Sequence, residues 1–113
     1  MFGENEIFLL VDFVKDFCKE VFFEDLNIDV IREDETYIEA NKYDVGILVG
    51  EEVWGYAVQN FPGSNFEPPD SDIVETKRLK TWQDAANHLI CLILQRKLEW
   101  YVDSLYVKDQ LKY

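Results

Sequence analysis

The spacing of hydrophobic residues changes twice along the chain, and this change constrains the fold more than any other feature of the sequence. Residues 4–24 and the stretch that begins at Thr81 carry apolar residues at steps of three and four, the spacing of amphipathic helices. Residues 28–60 carry short β-branched and aromatic runs separated by polar turns, a pattern typical of strands. The sequence therefore predicts two helices that bracket a sheet.

The central runs predict two β-hairpins, with tips at residues 33–35 and 50–52. The four runs that flank these tips are 28–32, 37–40, 43–49 and 53–58. In the second tip, Gly50 tolerates the positive φ of a tight turn.

The segment after the hairpins predicts a loop and one more strand. Residues 61–72 hold all three prolines of the chain and predict an irregular loop, and residues 73–77 then return as a short strand. The expected fold is α+β, in one domain over residues 1–113. An antiparallel sheet of about four to five strands packs against an N-terminal helix and a long C-terminal helix.

The C-terminal helix carries two apolar stripes. Thr81 predicts its N-cap, and Trp82, Ala86, Leu89 and Ile93 share one face, which we expect to be core. A second stripe lies about a quarter turn away at 100° per residue. It consists of Leu94, Leu98, Tyr101 and Leu105. We expect this second stripe to form a subunit or partner interface, and a homodimer would hide it. Packing against the first helix is the alternative.

The chain is strongly acidic, with 23 Asp and Glu residues against 11 Lys and Arg residues and a net charge of −12. Such a field repels nucleic acids and anionic membranes and attracts basic proteins. We therefore expect no direct nucleic-acid or membrane partner. The alternative is that the acidity only keeps the protein soluble.

The acidic residues recur where an exposed surface is expected, on the outside of the first helix, at the hairpin tips and in the loop. The candidate partner-binding carboxylates are Asp12, Asp16, Glu20 and Glu24 on the helix, Glu33, Asp34, Glu35, Glu51 and Glu52 at the tips, and Glu67, Asp70 and Asp72 in the loop. The aromatic residues Trp54 and Phe66 accompany them as candidate anchors. Carboxylates on a rigid surface can imitate phosphates and occupy a basic groove.

No combination of residues predicts catalysis, a metal site or a cofactor. The single histidine, His88, has no nucleophile or orienting partner in its local sequence, and it is expected to be a solvated or capping side chain. Cys18 and Cys91 show no metal-ligand spacing and are expected to be reduced, packed thiols. No glycine-rich loop precedes a helix, so a phosphate-binding loop is not predicted.

These observations favour a non-catalytic protein that inhibits another protein. Its expected target is a basic surface on a nuclease or nucleic-acid-binding complex. This size and charge are typical of phage DNA mimics, of anti-CRISPR and other anti-defence proteins, and of immunity proteins against nuclease toxins. The alternative is a structural or adaptor protein that acts as a homo-oligomer, and an enzyme is the third possibility. Reduced cysteines and an N-terminus without a basic signal region predict a cytoplasmic protein.

Overall fold

The computed structural model describes residues 4–32, 36–52, 55–62 and 76–111. The helices are α1 (Glu4–Phe22) and α2 (Trp82–Leu111), with a single 3₁₀ turn at Asn41–Tyr43. The strands are β1 (Ile28–Arg32), β2 (Thr36–Ala40), β3 (Val45–Glu52), β4 (Gly55–Pro62) and β5 (Lys77–Leu79). The predicted α+β fold, an antiparallel sheet with an N-terminal helix and a long C-terminal helix, is confirmed.

The sheet follows chain order, β1-β2-β3-β4-β5, and every neighbouring pair is antiparallel. Ile38, Ile47 and Asn60 stand opposite one another across β2, β3 and β4. The buried residues of this sheet face join the buried sides of α1 and α2 in one hydrophobic cluster. Both helices therefore draw their stability from the same core, and α2 also contacts α1 along its first half.

The predicted turn at residues 50–52 is wrong, because Gly50, Glu51 and Glu52 belong to β3. Glu51 pairs with Tyr56 and Glu52 pairs with Gly55, so the two strands extend further than the sequence indicated. Gly55, the first residue of β4, has a φ of 146°, a conformation that side chains other than glycine rarely adopt. A Cβ atom at this position would lie 2.2 Å from the carbonyl oxygen of Leu79 in β5. Glycine at this position therefore permits the close approach of β5.

The last strand and the loop also differ from the prediction. β4 continues through Pro62, and β5 spans Lys77–Leu79, whereas residues 73–75 of the predicted strand lie outside the described residues. The remaining predicted loop, from residue 63 to residue 72, lies outside the described residues. Short polar strands at a sheet edge carry little periodicity, and this explains the displaced boundary of β5.

The helix α1 ends two residues earlier than predicted. Phe23 adopts a left-handed φ of 55°, and its backbone N–H donates to the carbonyl of Lys19 at 3.0 Å. This is the geometry of a helix C-cap. The cap turns the chain, so that Glu24 leaves the line of exposed residues on α1.

The core prediction for α2 is largely confirmed. Leu89 and Ala86 are fully buried and Ile93 is nearly so. Trp82 is only partly buried, and its ring packs edge-on against Phe13 of α1 with the centroids 6.0 Å apart. The predicted N-cap is present, because the Thr81 hydroxyl accepts a hydrogen bond from the Asp84 backbone N–H at 3.2 Å.

Candidate functional site

The exposed side of α1 combines carboxylates with large apolar side chains. Asp12, Asp16 and Glu20 are all exposed and follow one another every four residues, about 6 Å apart along the helix axis. Phe8 continues this line one turn earlier, and at 100° per residue the exposed side chain of Leu9 lies about 60° from Asp12 and about 20° from Asp16 and Glu20. We call these five residues the acidic face. The helix thus presents three carboxylates and two apolar side chains on one surface, beside the exposed Lys15 and Lys19.

Glu24, which the sequence grouped with these carboxylates, instead contacts other parts of the protein. Its carboxylate contacts Lys97 Nζ at 3.2 Å and Lys42 Nζ at 3.4 Å, and it accepts a hydrogen bond from the Tyr43 hydroxyl. Burial alone would raise the pKa of Glu24. The hydrogen bonds from Tyr43 and Lys97 and the charges of Lys97 and Lys42 outweigh burial and lower that pKa. The side chain is only 15% exposed and joins α1, the 3₁₀ turn and α2.

The other candidate carboxylates are divided between a strand and the segments that are not described. Glu51 and Glu52 are the last two residues of β3 and are exposed, so they belong to a strand and not to a turn. The remaining candidates lie outside the described residues: Glu33, Asp34, Glu35, Trp54, Phe66, Glu67, Asp70 and Asp72. Among the described residues, the three carboxylates of α1 are therefore the only candidates that share one helix face.

The second stripe of α2 lies on a part of the helix that the body of the protein does not cover. Lys97, whose Nζ lies 4.2 Å from the centroid of the Phe22 ring, marks the place where α2 passes the end of α1. Every residue from 98 to 106 is exposed. The proposed interface residues Leu94, Leu98, Tyr101 and Leu105 are all exposed as well. α1 ends at Phe22, beside Lys97, and Leu98, Tyr101 and Leu105 follow that point along α2.

Other apolar residues of this exposed segment lie outside the predicted stripe. Trp100, Val102 and Tyr106 are also large and exposed, although the Trp100 ring still stacks on Tyr43 at 5.3 Å between centroids. Cys91 was expected to be packed and is exposed, whereas Cys18 is buried as expected. The three- and four-residue spacing of the second stripe, continued backwards from Leu94, reaches Cys91 and could have identified it.

The described nucleophilic and basic groups do not come together. His88 is half-buried and contacts the Asn60 side chain, so it is not the solvated or capping residue that the sequence predicted. Burial, and then the charge of Lys77, lowers the pKa of His88. Burial raises the pKa of the Cys18 thiol, which disfavours the reactive thiolate. Within the described part of the chain, no three His, Cys, Asp or Glu residues are arranged to hold a metal ion.

One buried carboxyl was not anticipated from the sequence. Glu39 in β2 is 4% exposed, and its Oε1 has no hydrogen-bond partner among the described residues. Burial, followed by the charges of Asp29 and Asp44, raises its pKa. Glu39 pairs with Gly46 across the sheet, and the glycine leaves room beside its side chain. An isolated carboxyl of this kind supplies neither a nucleophile and base pair nor a ligand set.

Two open polar grooves of about 380 and 300 Å³ border the connection between α1 and β1. They share Lys15, Asp25, Leu26 and Asn27 in their linings. Charges of both signs alternate along these walls, so the grooves favour neither an anionic nor a cationic ligand.

Comparison of the chain with protein-family models, with curated proteins and with solved structures gave no match. Neither α1 nor α2, over the residues described, is long and apolar enough to cross a membrane. The functional assignment therefore depends on two surfaces, the acidic face of α1 and the exposed segment of α2.

Proposed function

We propose that this protein is a non-catalytic antagonist that binds a basic surface of a nucleic-acid-handling protein and blocks it. The observation that carries the proposal is the acidic face, where Asp12, Asp16 and Glu20 form an exposed line on a rigid helix. Phage DNA mimics, anti-CRISPR and other anti-defence proteins, and immunity proteins against nuclease toxins are the classes that act in this way.

The charge pattern supports competition with nucleic acid. A DNA strand carries one phosphate per about 3.4 Å of axis, and the helix presents one carboxylate per about 6 Å. The line is therefore less dense than a DNA strand, and the net charge of −12 on the whole chain adds to its field. A basic groove that evolved for phosphates would attract such a surface at long range and raise the rate of encounter.

The apolar members of the acidic face support a specific contact beyond this attraction. Phe8 is 60% exposed and Leu9 is 48% exposed. Exposed ion pairs contribute little net affinity, whereas desolvated apolar anchors at the centre of an interface contribute most of it. Carboxylates would therefore steer the encounter, and Phe8 and Leu9 would hold the complex together.

The environments of the described ionisable groups support a non-catalytic role. The buried thiol of Cys18 is held in its neutral form, and His88 contacts an asparagine instead of a nucleophile. A catalytic site requires a nucleophile, a base and a charge-stabilising donor within reach of one another.

The experiment is a charge reversal with a matched control. In one variant Asp12, Asp16 and Glu20 become lysine, and in the control the exposed carboxylates Asp84, Glu99 and Asp103 of α2 become lysine. Both variants change the net charge by the same amount. Each protein is titrated into DNA-cleavage assays with purified RNA-guided nucleases and nuclease toxins, and association rates are measured at low and high salt.

For the nuclease that the wild type inhibits, we expect stoichiometric inhibition and an association rate that falls with salt. The α1 reversal should slow association by at least about tenfold, while the α2 control should change it much less. Inhibition that responds to neither salt nor the α1 reversal would contradict the proposal and leave the acidity as a solubility device.

A second candidate function is a structural or adaptor protein that acts as a homo-oligomer. The observation that favours it is the exposed apolar segment of α2, where Leu98 and Tyr101 are each 62% exposed. The two candidates are compatible, because the acidic face and this segment lie on different helices. A dimer would present the acidic face twice.

A further inference from the structure

The exposed stripe of α2 has the spacing of a coiled-coil seam. Cys91, Leu94, Leu98, Tyr101 and Leu105 are separated by steps of three, four, three and four residues, and all are exposed. This alternation is the a and d pattern of a heptad repeat, in which each helix packs its seam against another helix. A stripe that packs only on a globular core is usually wider than two positions in seven. The sequence of α2 is therefore suited to a partner helix.

The second half of α2 carries a large amount of exposed apolar surface. Tyr101 and Tyr106 are 62% and 64% exposed. At about 150–250 Å² for a whole aromatic side chain, these two residues alone present roughly 200–300 Å². Three more apolar residues, Leu98, Val102 and Leu105, add to the same segment. The total is on the order of 300–500 Å², about half of the roughly 800 Å² that each partner buries in a standard interface.

The distribution of charge indicates which partner fits. Between residues 85 and 106, α2 contains two acidic residues, Glu99 and Asp103. At 100° per residue they lie about 140° and 180° around the helix from Leu94. The seam is therefore an uncharged strip on a chain of net charge −12. A basic partner gains little there, whereas two copies of this acidic chain can approach each other there with the least repulsion.

We propose that a second copy of this chain covers the seam, and that the two α2 helices pair antiparallel with Leu98 of each copy beside Tyr101 of the other. This deepens the homo-oligomer candidate and rests on it, but it is independent of the acidic face. In this arrangement Leu94 lies opposite Leu105 of the second copy, so that residues of the seam meet residues of the seam. Each copy then covers the exposed part of α2 in the other copy.

Electrostatics selects the antiparallel orientation over the parallel one. The part of α2 that packs on the body is centred near Leu89, about nine residues before Leu98. Antiparallel pairing therefore separates the two acidic bodies by roughly 30 Å along the helix axis, several Debye lengths at physiological salt. Parallel pairing would place them side by side. Opposed helix dipoles also favour the antiparallel pair.

Sedimentation equilibrium tests the second copy. We expect the wild type to show a concentration-dependent mass that reaches a dimer in the micromolar range, and Leu98→Glu to be monomeric, because it places a charge in the apolar seam of each copy. The matched control is Leu9→Glu, the same substitution at an exposed leucine of α1, which should leave the dimer intact. Circular dichroism confirms that each variant is folded. A wild type that is monomeric up to hundreds of micromolar overturns both the dimer and the homo-oligomer candidate.

Cysteine crosslinking tests the orientation. In an antiparallel pair the two Cys91 residues are roughly 25 Å apart, too far for a disulfide, which needs Cα atoms within about 7 Å. We expect mild oxidation to leave the wild type uncrosslinked and to link the triple variant Cys91→Ser, Leu94→Cys, Leu105→Cys, in which each introduced thiol meets one of the second copy. The double variant Cys91→Ser, Leu105→Cys should not crosslink.

The possible outcomes separate the proposals. A disulfide-linked wild-type dimer through Cys91 indicates a parallel pair and overturns the antiparallel arrangement, while the homo-oligomer candidate stands. A dimer that survives Leu98→Glu overturns the seam itself. In each of these cases the nuclease-inhibition assay remains a separate test of the acidic face.

Discussion

Both halves of α2 carry apolar residues, but the environments of the two halves are opposite. In the first half, Ala85, Leu89 and Ile93 are buried against the sheet and α1. In the second half, Leu98 and Tyr101 are exposed, as is every residue from 98 to 106. The helix continues without a break, but the elements that cover its first half do not extend along its second half. An apolar stripe therefore indicates a contact, and only the extent of the neighbouring elements decides whether that contact lies within the chain.

A polar clamp marks the boundary between the halves. Lys97 pairs with Glu24 beyond the end of α1, and Arg96 Nε donates to the carbonyl oxygen of Tyr43 at 2.9 Å. Lys97 also lies over the Tyr43 ring at 4.7 Å. These contacts attach α2 to the body at the last place where the body can reach it. Beyond them, Trp100 still stacks on Tyr43, and we propose that a second copy stabilises the rest of the helix.

The largest expected difference between the halves comes from removing one buried leucine. Leu89→Ala should lower the free energy of unfolding by about 2–5 kcal/mol, because it leaves a cavity at a fully buried site. Leu98→Ala, the same substitution in the second half, should stay within about 0.5 kcal/mol when measured at concentrations that keep the chain monomeric. Urea denaturation provides both values. Equal losses at the two positions would show that the second half packs on the body.

Proline substitutions at exposed positions test the same difference between the two halves of α2, because proline removes a backbone hydrogen bond of the helix. Asn87→Pro should destabilise the fold by about 3 kcal/mol or more, because proline removes a helix hydrogen bond in the supported half. Ser104→Pro should leave the unfolding midpoint of the monomer nearly unchanged and reduce only the helical signal in circular dichroism. If Ser104→Pro unfolds the domain, the second half is part of the folding unit and the comparison fails.

A smaller and pH-dependent effect is expected at the clamp. Glu24→Gln should cost about 1–3 kcal/mol at neutral pH, because it removes a charged hydrogen-bond acceptor. The lowered pKa of Glu24 means that its contribution is complete above the ordinary glutamate range and is lost as the pH falls through the lowered value. Wild type and variant should therefore converge in acid. Glu20→Gln, on the exposed side of α1, is the control and should leave the free energy of unfolding at neutral pH nearly unchanged.

The sequence predicted the elements of this fold well, because helix and strand periods differ strongly along the chain. The prediction failed where the backbone conformation of one or two residues decides where an element ends. The left-handed Phe23 turns Glu24 inward, and β3 continues past Gly50 to Glu52. Neither effect changes hydrophobic spacing. The acidic line of Asp12 and Asp16 follows from helical periodicity alone, whereas the pairing of Glu24 with Lys97 spans 73 residues and has no local pattern.

Hydrogen exchange of α2 as a function of protein concentration tests most directly whether its second half is completed by another copy. We predict that amides of residues 85–93 are strongly protected at every concentration, because the core holds them. Amides of residues 98–106 should exchange rapidly in dilute solution and become protected as the concentration rises, and Leu98→Glu should abolish that rise. Protection of residues 98–106 that is the same at all concentrations, whether strong or absent, would contradict this account.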